Sequence, residues 1–196
     1  MKLIAITGGI GSGKSVVARI VEVMGYQVYD CDSRAKALMT ESRDVRGELI
    51  EAFGTEVYMA DGSLNRKHLS AVAFTDEKAL ARLNGIVHPA TARDMLHWAE
   101  SQATTGAQVA FVETALLRTA GLDRLVDDVW HVTAPDDVRV ARVMVRSGLT
   151  AQQVRDRMAS QLVEDRIADN EHVIVNDNEA ALLPQVIQLL NNIQST

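Results

Sequence analysis

Eight residues near the start of the chain have the types and spacing of a phosphate-binding loop. The run Gly8-Gly9-Ile10-Gly11-Ser12-Gly13-Lys14-Ser15 fits the pattern G-x-x-x-x-G-K-[S/T]. Glycines let backbone N–H groups turn toward phosphate oxygens, and the N-terminus of a following helix adds partial positive charge there. In this pattern Lys14 reaches the β- and γ-phosphates and the Ser15 hydroxyl binds Mg²⁺. The run therefore predicts a nucleoside triphosphate site, with ATP as the default. The predicted nucleotide contacts are Gly9, Gly11, Ser12, Gly13, Lys14, Ser15 and Val16.

The segments on either side of this loop support the same interpretation. Residues 2–7 predict a buried strand, and residues 16–24 carry apolar side chains at helical spacing. Strand, glycine loop and helix in this order form the context in which the pattern binds phosphate. An ordinary glycine turn before Lys-Ser is the alternative, and the fit of both flanks disfavours it.

Carboxylates follow two further predicted strands. A short strand over 27–29 leads to Asp30-Cys31-Asp32, and a strand of four apolar residues ends in Glu113. Because open α/β sheets bind ligands at the carboxyl ends of their strands, Asp32 could accept a proton from an acceptor hydroxyl or orient a water on Mg²⁺. Glu113 could bind Mg²⁺ directly or through water. The structural alternatives stay open: Asp32 as the cap of a helix beginning at Ser33, and Glu113 as a helix-capping acid.

The chain between these two acidic positions is mainly helical. Residues 33–53 predict helix with a break near 40–42, and Asp61-Gly62 predicts a turn. The stretch 65–104 predicts helices to Phe74, over 76–86, and from His88-Pro89 to about Thr104, because proline suits a first helical turn. We expect an inserted helical lobe that holds a second substrate. The alternatives stay open that His88 is a cap or core imidazole and that Arg66 is a solvated charge.

Six arginines and no lysine lie between positions 139 and 166 of this acidic chain. Pro135 opens a helix with three arginines on one face, and Thr150-Ala151-Gln152-Gln153 fits a capping box that begins a second helix. The arginines are Arg139, Arg142 and Arg146 in the first helix, and Arg155, Arg157 and later Arg166 in the second. Since arginine suits bidentate contact with phosphate, we expect a mobile lid that closes on ATP. The alternative is a solvated helix pair salt-bridged to Asp156, Glu164 and Asp165.

Two more strands complete the predicted fold. They cover 128–133 and 172–175, the second ending at Asn176, and a last helix over 179–193 has a late start or a kink at Pro184. The fold class is therefore α/β, with a five-stranded, mainly parallel sheet and helices on both faces. We expect one domain of 1–196: a core of about 1–60, 105–138 and 168–196, a helical substrate lobe of about 61–104, and a lid of about 139–167.

The composition of the chain excludes several classes of protein. The 196 residues are 47% hydrophobic, which is typical of a globular chain, and the net charge of −6 argues against a general nucleic-acid binder. Cys31 is the single cysteine of the sequence, so it cannot form an internal disulfide, and we expect it to be a small buried residue. The chain leads directly into the first predicted strand, so we expect no secretory leader, and no apolar run comes near the roughly 20 residues of a membrane span. We expect a cytoplasmic monomer or small homo-oligomer with no membrane or nucleic-acid partner.

Together these motifs resemble the dephospho-CoA kinase family, and the resemblance covers nearly the whole chain. The motifs that carry it are Ile6-Thr7 with the phosphate loop, the acidic pair after the second strand, Asp61-Gly62-Ser63-Leu64-Asn65-Arg66, Leu83-Asn84-Gly85-Ile86-Val87-His88-Pro89, Gln161, and Val173-Ile174-Val175-Asn176. Many kinases share the loop. The segments with Leu-Asn-x-x-x-His-Pro and Val-Ile-x-Asn are more selective.

The resemblance implies a three-layer P-loop kinase fold and a specific reaction. That reaction is phosphorylation of the ribose 3′-hydroxyl of dephospho-CoA with ATP and Mg²⁺, which gives coenzyme A and ADP. The resemblance also implies Asp32 as the base, Arg142 in the lid, Asn176 as a nucleotide contact, and Arg66 and His88 near the substrate. With Lys14, Asp32 and Arg142 form the expected catalytic set.

The chain departs from the family pattern at two places, and other functions stay open. Arg118 stands where the family usually has Glu, and Asn170-Glu171 where it has Ala-Asp. One alternative is another small-molecule P-loop kinase, acting on a nucleoside monophosphate or a sugar. A second is a nucleotide-dependent switch protein, which should carry an Asn-Lys-x-Asp loop that this sequence lacks.

Overall fold

A five-stranded sheet forms the core of the computed structural model, which describes residues 1–73 and 76–194. The strand order is β2-β3-β1-β4-β5. The strands are β1 (Lys2–Thr7), β2 (Gln27–Asp30), β3 (Val109–Glu113), β4 (Asp128–Thr133) and β5 (His172–Val175). β1 pairs in parallel with β3 and with β4, and β4 pairs in parallel with β5. The predicted α/β class and parallel sheet are confirmed.

The central strand is apolar because both of its faces are covered. Four consecutive residues of β1, Leu3 to Ile6, are at most 5% exposed, as expected for a strand inside a parallel sheet. The rings of Phe111 on β3 and Trp130 on β4 contact each other in a tilted arrangement, with centroids 5.0 Å apart and an interplanar angle of 60°. The register Ile6↔Glu113 places the end of β1 beside the end of β3. The strand that leads into the phosphate loop is therefore fixed from both sides.

The chain divides into two compact units, Met1–Tyr29 with Ser101–Thr196, and Asp30–Glu100. The helices are α1 (Lys14–Val23), α2 (Cys31–Glu41), α3 (Arg43–Phe53), α4 (Arg66–Ala73), α5 (Glu77–Thr104), α6 (Asp136–Ser147), α7 (Ala151–Ala159) and α8 (Leu182–Gln194), with 3₁₀ turns at Thr55–Val57 and Leu122–Arg124. This division places α2 and α3 with the helical unit, whereas the boundaries predicted from the sequence include them in the core of about 1–60. Among the described residues no helix is both long and apolar enough to cross a membrane.

Several predicted helix boundaries are confirmed. Ser42 separates α2 from α3, and its hydroxyl accepts from Val45 N. Both hydrogen bonds of the capping box are present at the start of α7, between Thr150 and Gln153. α8 begins late, with Pro184 as its third residue, where the missing N–H has no helical partner to lose. The predicted end of α4 at Phe74 lies outside the described residues.

Two helix predictions are wrong. His88-Pro89 does not begin a new helix, because α5 runs without interruption from Glu77 and carries Pro89 in its interior. Buried side chains on both sides of the proline, Val87 and Ala90, fix the helix by packing, which outweighs the local cost. α7 ends at Ala159, so Arg166 lies outside it.

Candidate active site

The phosphate loop joins β1 to α1, and close packing fixes its shape. Gly13 has φ +96°, and a Cβ added there would lie 1.9 Å from Nδ2 of Asn176. Only glycine fits at this point. α1 begins at Lys14 and no side chain of the described residues caps it, so the N–H groups of Lys14 and Ser15 and the positive dipole end are offered to an anion. Val16 N instead donates to the carbonyl of Gly13 over 2.9 Å.

A cavity of about 180 Å³ opens between this loop and α6. Loop and α1 residues line one side and α6 residues the other: Gly11, Gly13, Lys14, Ser15, Val16, Arg142, Val143 and Arg146. Three of these side chains are cationic, in a chain with a net charge of −6. A local cluster of positive charge of this kind suits the phosphates of a nucleotide.

The two predicted metal residues lie in contact. Ser15 Oγ donates to Oε1 of Glu113 over 2.7 Å. Their contact follows from the sheet register, since β1 leads into the loop and Glu113 ends the neighbouring strand. A hydroxyl and a carboxylate are the oxygen ligands that Mg²⁺ accepts from proteins. Within the described residues no group of three or more His, Cys, Asp or Glu side chains has the arrangement of a metal site, so a protein-only metal cage is not indicated there.

Asn176, just after β5, and Arg142, in the middle of α6, brace the loop. Asn176 follows β5 directly, is buried, and donates from Nδ2 to the carbonyl of Ser12 over 2.8 Å. Arg142 donates from NH2 to Oδ1 of Asn176 over 3.1 Å and to Oδ1 of Asn178 over 2.5 Å. Both residues were predicted from the sequence to serve the nucleotide, but their contact with each other was not predicted. Asn178 was not predicted at all; its distinguishing feature is a positive φ of 76°, which is visible only in the structure.

The arginines of α6 and α7 do not share one environment. Arg139 is 6% exposed and pairs with Asp165, with NH1 and NH2 each 3.1 Å from Oδ2. An ion pair with Asp165 is one of those expected if the two helices form a salt-bridged pair rather than a mobile lid. Arg155 and Arg157 are exposed on α7. Arg142 and Arg146 therefore remain as the α6 arginines that line the cavity.

The second unit carries Asp32, Arg66 and His88. Asp32 is exposed in the first turn of α2, and the cap of that helix is Asp30, whose Oδ1 accepts from Ser33 N over 3.0 Å. The alternative that Asp32 caps a helix from Ser33 is therefore wrong. Arg66 is exposed at the first residue of α4, and His88 is half-buried within α5.

An ion pair fixes α2 against α5 within this unit. Arg34 Nε lies 3.0 Å from Oδ2 of Asp94, and its NH2 lies 3.1 Å from Oδ1 of the same carboxylate. Bidentate pairs of this kind set orientation as well as distance. The turn of α2 that bears Asp32 is thereby held by a residue two positions further along the chain.

The two positions that depart from the family pattern contact each other. The Arg118 guanidinium pairs with Oε1 of Glu171, and Oε2 of Glu171 lies 3.3 Å from Nδ1 of His131. His131 is 2% exposed. Burial lowers the pKa of His131, and the Glu171 carboxylate opposes that effect in part. Arg118 thus has a structural partner.

Comparison with known proteins agrees with the geometry. The family model described as CoaE: Dephospho-CoA kinase matches residues 2–181. A relative named dephospho-CoA kinase from Porphyromonas gingivalis is 38% identical over 100% of this chain and 96% of its own. Another of that name, from Salinibacter ruber, is 40% identical over 90% of this chain and 89% of its own.

Solved structures agree on the fold. TT1252 from Thermus thermophilus superposes with a TM-score of 0.77 at 29% identity, covering 99% of this chain and 96% of its own. A dephospho-CoA kinase from Campylobacter jejuni gives 0.73 at 22% identity, covering 100% and 98%, and a shikimate kinase from Acinetobacter baumannii gives 0.55 at 14%, covering 100% and 94%. At 22% and 14% identity, the last two structures show that this chain has the same fold as they do, and no more. With the phosphate loop, the Ser15–Glu113 contact and the match over residues 2–181, the chain belongs to the dephospho-CoA kinase family.

Proposed function

We propose that this protein transfers the γ-phosphoryl group of ATP to the 3′-hydroxyl of dephospho-CoA, giving coenzyme A and ADP. The observation that carries the proposal is the family match over residues 2–181, which includes an intact phosphate loop. Phosphoryl transfer asks little covalent chemistry of a protein. The enzyme must position donor and acceptor in line and stabilise the charge that spreads over the transferred group.

The nucleotide binds in the loop cavity. The Lys14 side chain and the amides of Lys14 and Ser15 at the start of α1 hold the β- and γ-phosphates, and Arg142 and Arg146 face the same space from α6. Arg142 is the residue of this pair that we assign to the transferring phosphoryl group. Asn176 serves the nucleotide by holding the Ser12 carbonyl, and with it the turn of the loop before Lys14.

Magnesium fits the pair formed by Ser15 and Glu113. The Ser15 hydroxyl and the Glu113 carboxylate would hold the ion, together with phosphate oxygens and water. When bound, Mg²⁺ neutralises charge on the phosphate oxygens. Ser15 and Glu113 belong to the same compact unit, so they need no rearrangement of the other unit to act together.

Asp32 is the proposed base for the acceptor hydroxyl. Its carboxylate is exposed, and Asp30 performs the capping role that would otherwise occupy it. A carboxylate free of a structural duty can accept the hydroxyl proton as the phosphoryl group transfers. Arg66 and His88 are the proposed contacts of the anionic acceptor. We place the reaction in the cytoplasm, where ATP is the donor, with a monomer or small homo-oligomer as the working unit.

The test is ADP release from ATP and Mg²⁺ with dephospho-CoA, beside AMP, CMP, gluconate and a blank without acceptor. We expect ADP only with dephospho-CoA, with coenzyme A as the second product. Lys14→Ala should abolish turnover, whereas Lys78→Ala, at an exposed position of α5, should leave it unchanged. ADP formed with another acceptor would keep the nucleotide site but overturn the substrate, and release without any acceptor would indicate hydrolysis or a switch protein.

A further inference from the structure

Side chains from elsewhere in the chain hold both backbone polar groups of Ile10, in the middle of the phosphate loop. Its N–H donates to Oε1 of Gln161 over 2.9 Å, and its carbonyl accepts from Nε of Arg139 over 3.0 Å. Gln161 lies 151 residues further along the chain, and Arg139 lies 129 residues further. Most loop peptides leave such groups to water or to nearby residues. The orientations of the two peptide groups that flank the Ile10 Cα are therefore set from outside the loop.

The turn formed by residues 161–165 supplies both contacts. It is closed by hydrogen bonds from Glu164 N and Asp165 N to the carbonyl of Gln161, over 2.9 and 3.3 Å. Gln161 contacts Ile10 directly. Asp165 acts through Arg139, since both terminal nitrogens of that guanidinium bond to Asp165 Oδ2 while Nε bonds to the loop.

The side chains of Arg139 and Asp165 pack closely against the phosphate loop at Gly9. A Cβ added at Gly9 would lie 2.2 Å from NH2 of Arg139 and 2.2 Å from Oδ1 of Asp165. The Ile10 side chain packs against a buried apolar cluster of α6 and α7, formed by Val140, Val143, Val154 and Met158. Polar contacts hold the backbone of Ile10 and apolar contacts hold its side chain. The loop therefore cannot move without displacing residues of α6, α7 and the 161–165 turn.

The 161–165 turn is itself anchored on its other side. Glu164 is 1% exposed, and its two carboxylate oxygens accept from the backbone N–H groups of Arg118, over 3.0 Å, and Thr119, over 2.8 Å. These residues follow β3, the strand that ends in Glu113. The turn therefore connects the phosphate loop to the segment beyond β3.

We propose that Gln161 is a positioning residue of the phosphate-binding loop: it fixes the Gly9–Ile10 peptide group so that the amides of Gly11, Gly13, Lys14 and Ser15 are preformed for the nucleotide phosphates. The inference rests on the proposed function and adds to it a residue that lies outside the lining of the nucleotide cavity. Preforming a loop strengthens binding because the ordering cost is met before the ligand arrives. Affinity for nucleotide should therefore depend on Gln161, and affinity for the acceptor should not.

The experiment compares two substitutions at position 161, one that removes the acceptor oxygen and one that keeps it. Gln161→Met keeps the length of the side chain and removes its carbonyl, whereas Gln161→Glu keeps an oxygen for the Ile10 N–H. Gln152→Met, at an exposed position of α7, is the matched control. The probe is ADP with Mg²⁺, titrated by calorimetry, and thermal melts followed by circular dichroism report folding.

We expect Gln161→Met to bind ADP about fivefold more weakly or worse, the effect of one lost hydrogen bond of ordinary strength. Gln161→Glu should recover most of the affinity, and Gln152→Met should match the wild type. In the ADP-release assay, KM for ATP should rise in Gln161→Met while KM for dephospho-CoA stays the same. If Gln161→Met does not fold, Asp165→Asn, which weakens the hold on Arg139, takes its place with the same expected loss.

The outcomes separate this inference from the function on which it rests. A folded Gln161→Met that binds ADP as tightly as wild type overturns the positioning role and leaves the proposed function intact. An equal rise of KM for both substrates, which a general structural defect would produce, also overturns it. Wild-type protein that binds no ADP overturns the proposed function and the inference together.

Discussion

Two carboxylates two positions apart, Asp30 and Asp32, have different surroundings. Asp30 caps α2 by accepting from both the backbone N–H and the hydroxyl of Ser33. Asp32 is exposed in the first turn of the same helix. The helix N-terminus has one cap position, and Asp30 fills it. Asp32 therefore has no capping duty, which is the state expected of a side chain kept for chemistry.

Asp32→Asn tests this division of roles. We expect kcat with dephospho-CoA to fall by about 100-fold or more, because removing a general base usually costs 10²–10⁴-fold. KM for ATP should change little, since the proposed nucleotide site is the cavity lined by the loop and α6. The measurement is steady-state ADP release with either substrate varied.

Asp30→Asn is the matched control for that experiment. It removes a carboxylate two residues away, but asparagine caps helices about as well as aspartate, so both stability and turnover should persist. Comparable turnover in Asp32→Asn and wild type would show that Asp32 is not the base. Equal losses of turnover in both variants would mean that activity depends on the N-terminus of α2 as a whole rather than on the Asp32 carboxylate.

Residue contacts were predictable where a strand and a motif fix them, and not elsewhere. Ser15 and Glu113 were both predicted as metal residues, because the motif places one and the end of a buried strand places the other. The bond from Ile10 to Gln161 has no such pattern, since a side chain can bond to any backbone group and 151 residues separate the two. Asn178 was not predicted for the same reason, since its contact with Arg142 joins side chains 36 residues apart and no sequence pattern marks it.

At the scale of the element, α5 shows tertiary packing outweighing a local signal. Proline inside a helix removes a hydrogen bond and clashes with the preceding turn, at a cost of about 3 kcal/mol or more. Helix α5 nevertheless continues through Pro89, with Val87 and Ala90 buried on either side. Thr91, within the same turn, donates from its hydroxyl to the carbonyl of Val87 over 2.9 Å.

Pro89→Ala should therefore stabilise the protein. Alanine restores the missing N–H and the best helix propensity, and part of the roughly 3 kcal/mol that proline costs in a helix interior should be recovered. We expect a gain of about 1–2 kcal/mol in the free energy of unfolding. Urea titration followed by circular dichroism measures it, with the slope of the transition unchanged.

Pro184→Ala provides the control, because Pro184 is the third residue of α8, where its N–H would have no helical partner. That variant should change the unfolding free energy by much less than Pro89→Ala. A loss of stability in Pro89→Ala would mean that the proline itself, rather than its neighbours, keeps α5 in place.

Element boundaries followed from the sequence where capping residues mark them. The ends of β1 and β4, the break at Ser42 and the start of α7 at Thr150 were all predicted from local patterns. The end of α7 was not, because Ala159-Ser160-Gln161 carries no glycine or proline. The 161–165 turn is instead defined by what Gln161 and Glu164 contact at long range.

At the scale of the whole molecule, the order of the strands is the feature that local patterns leave open. Hydrophobic runs predicted five strands and parallel pairing, but the order β2-β3-β1-β4-β5 depends on where each crossover passes. That order brings β3 and β4 to either side of β1. It also places β5 next to β4, which sets Glu171 beside His131.

This pairing makes the stability of the protein sensitive to pH through His131. Burial lowers the pKa of His131 in the folded protein below the 6.5 of a free histidine, although Glu171 beside it raises that pKa and Arg118 lowers it. The unfolded chain then binds a proton at this site at pH values where the folded protein does not. By linkage, the stabilisation is complete above about pH 6.5 and is lost as the pH falls below it.

His131→Gln should flatten that dependence by removing the titrating group while keeping a side chain that can bond to Glu171. The measurement is the free energy of unfolding from urea titrations between pH 5 and pH 8. His97→Gln, at an exposed position of α5, controls for the loss of a histidine. The variant at 131 should be less stable than wild type at pH 8, because a buried contact is altered, yet lose less stability on going to pH 5. If wild type and His131→Gln lose stability in parallel as the pH falls, the acid sensitivity arises elsewhere, and the buried cluster of Arg118, Glu171 and His131 serves packing alone.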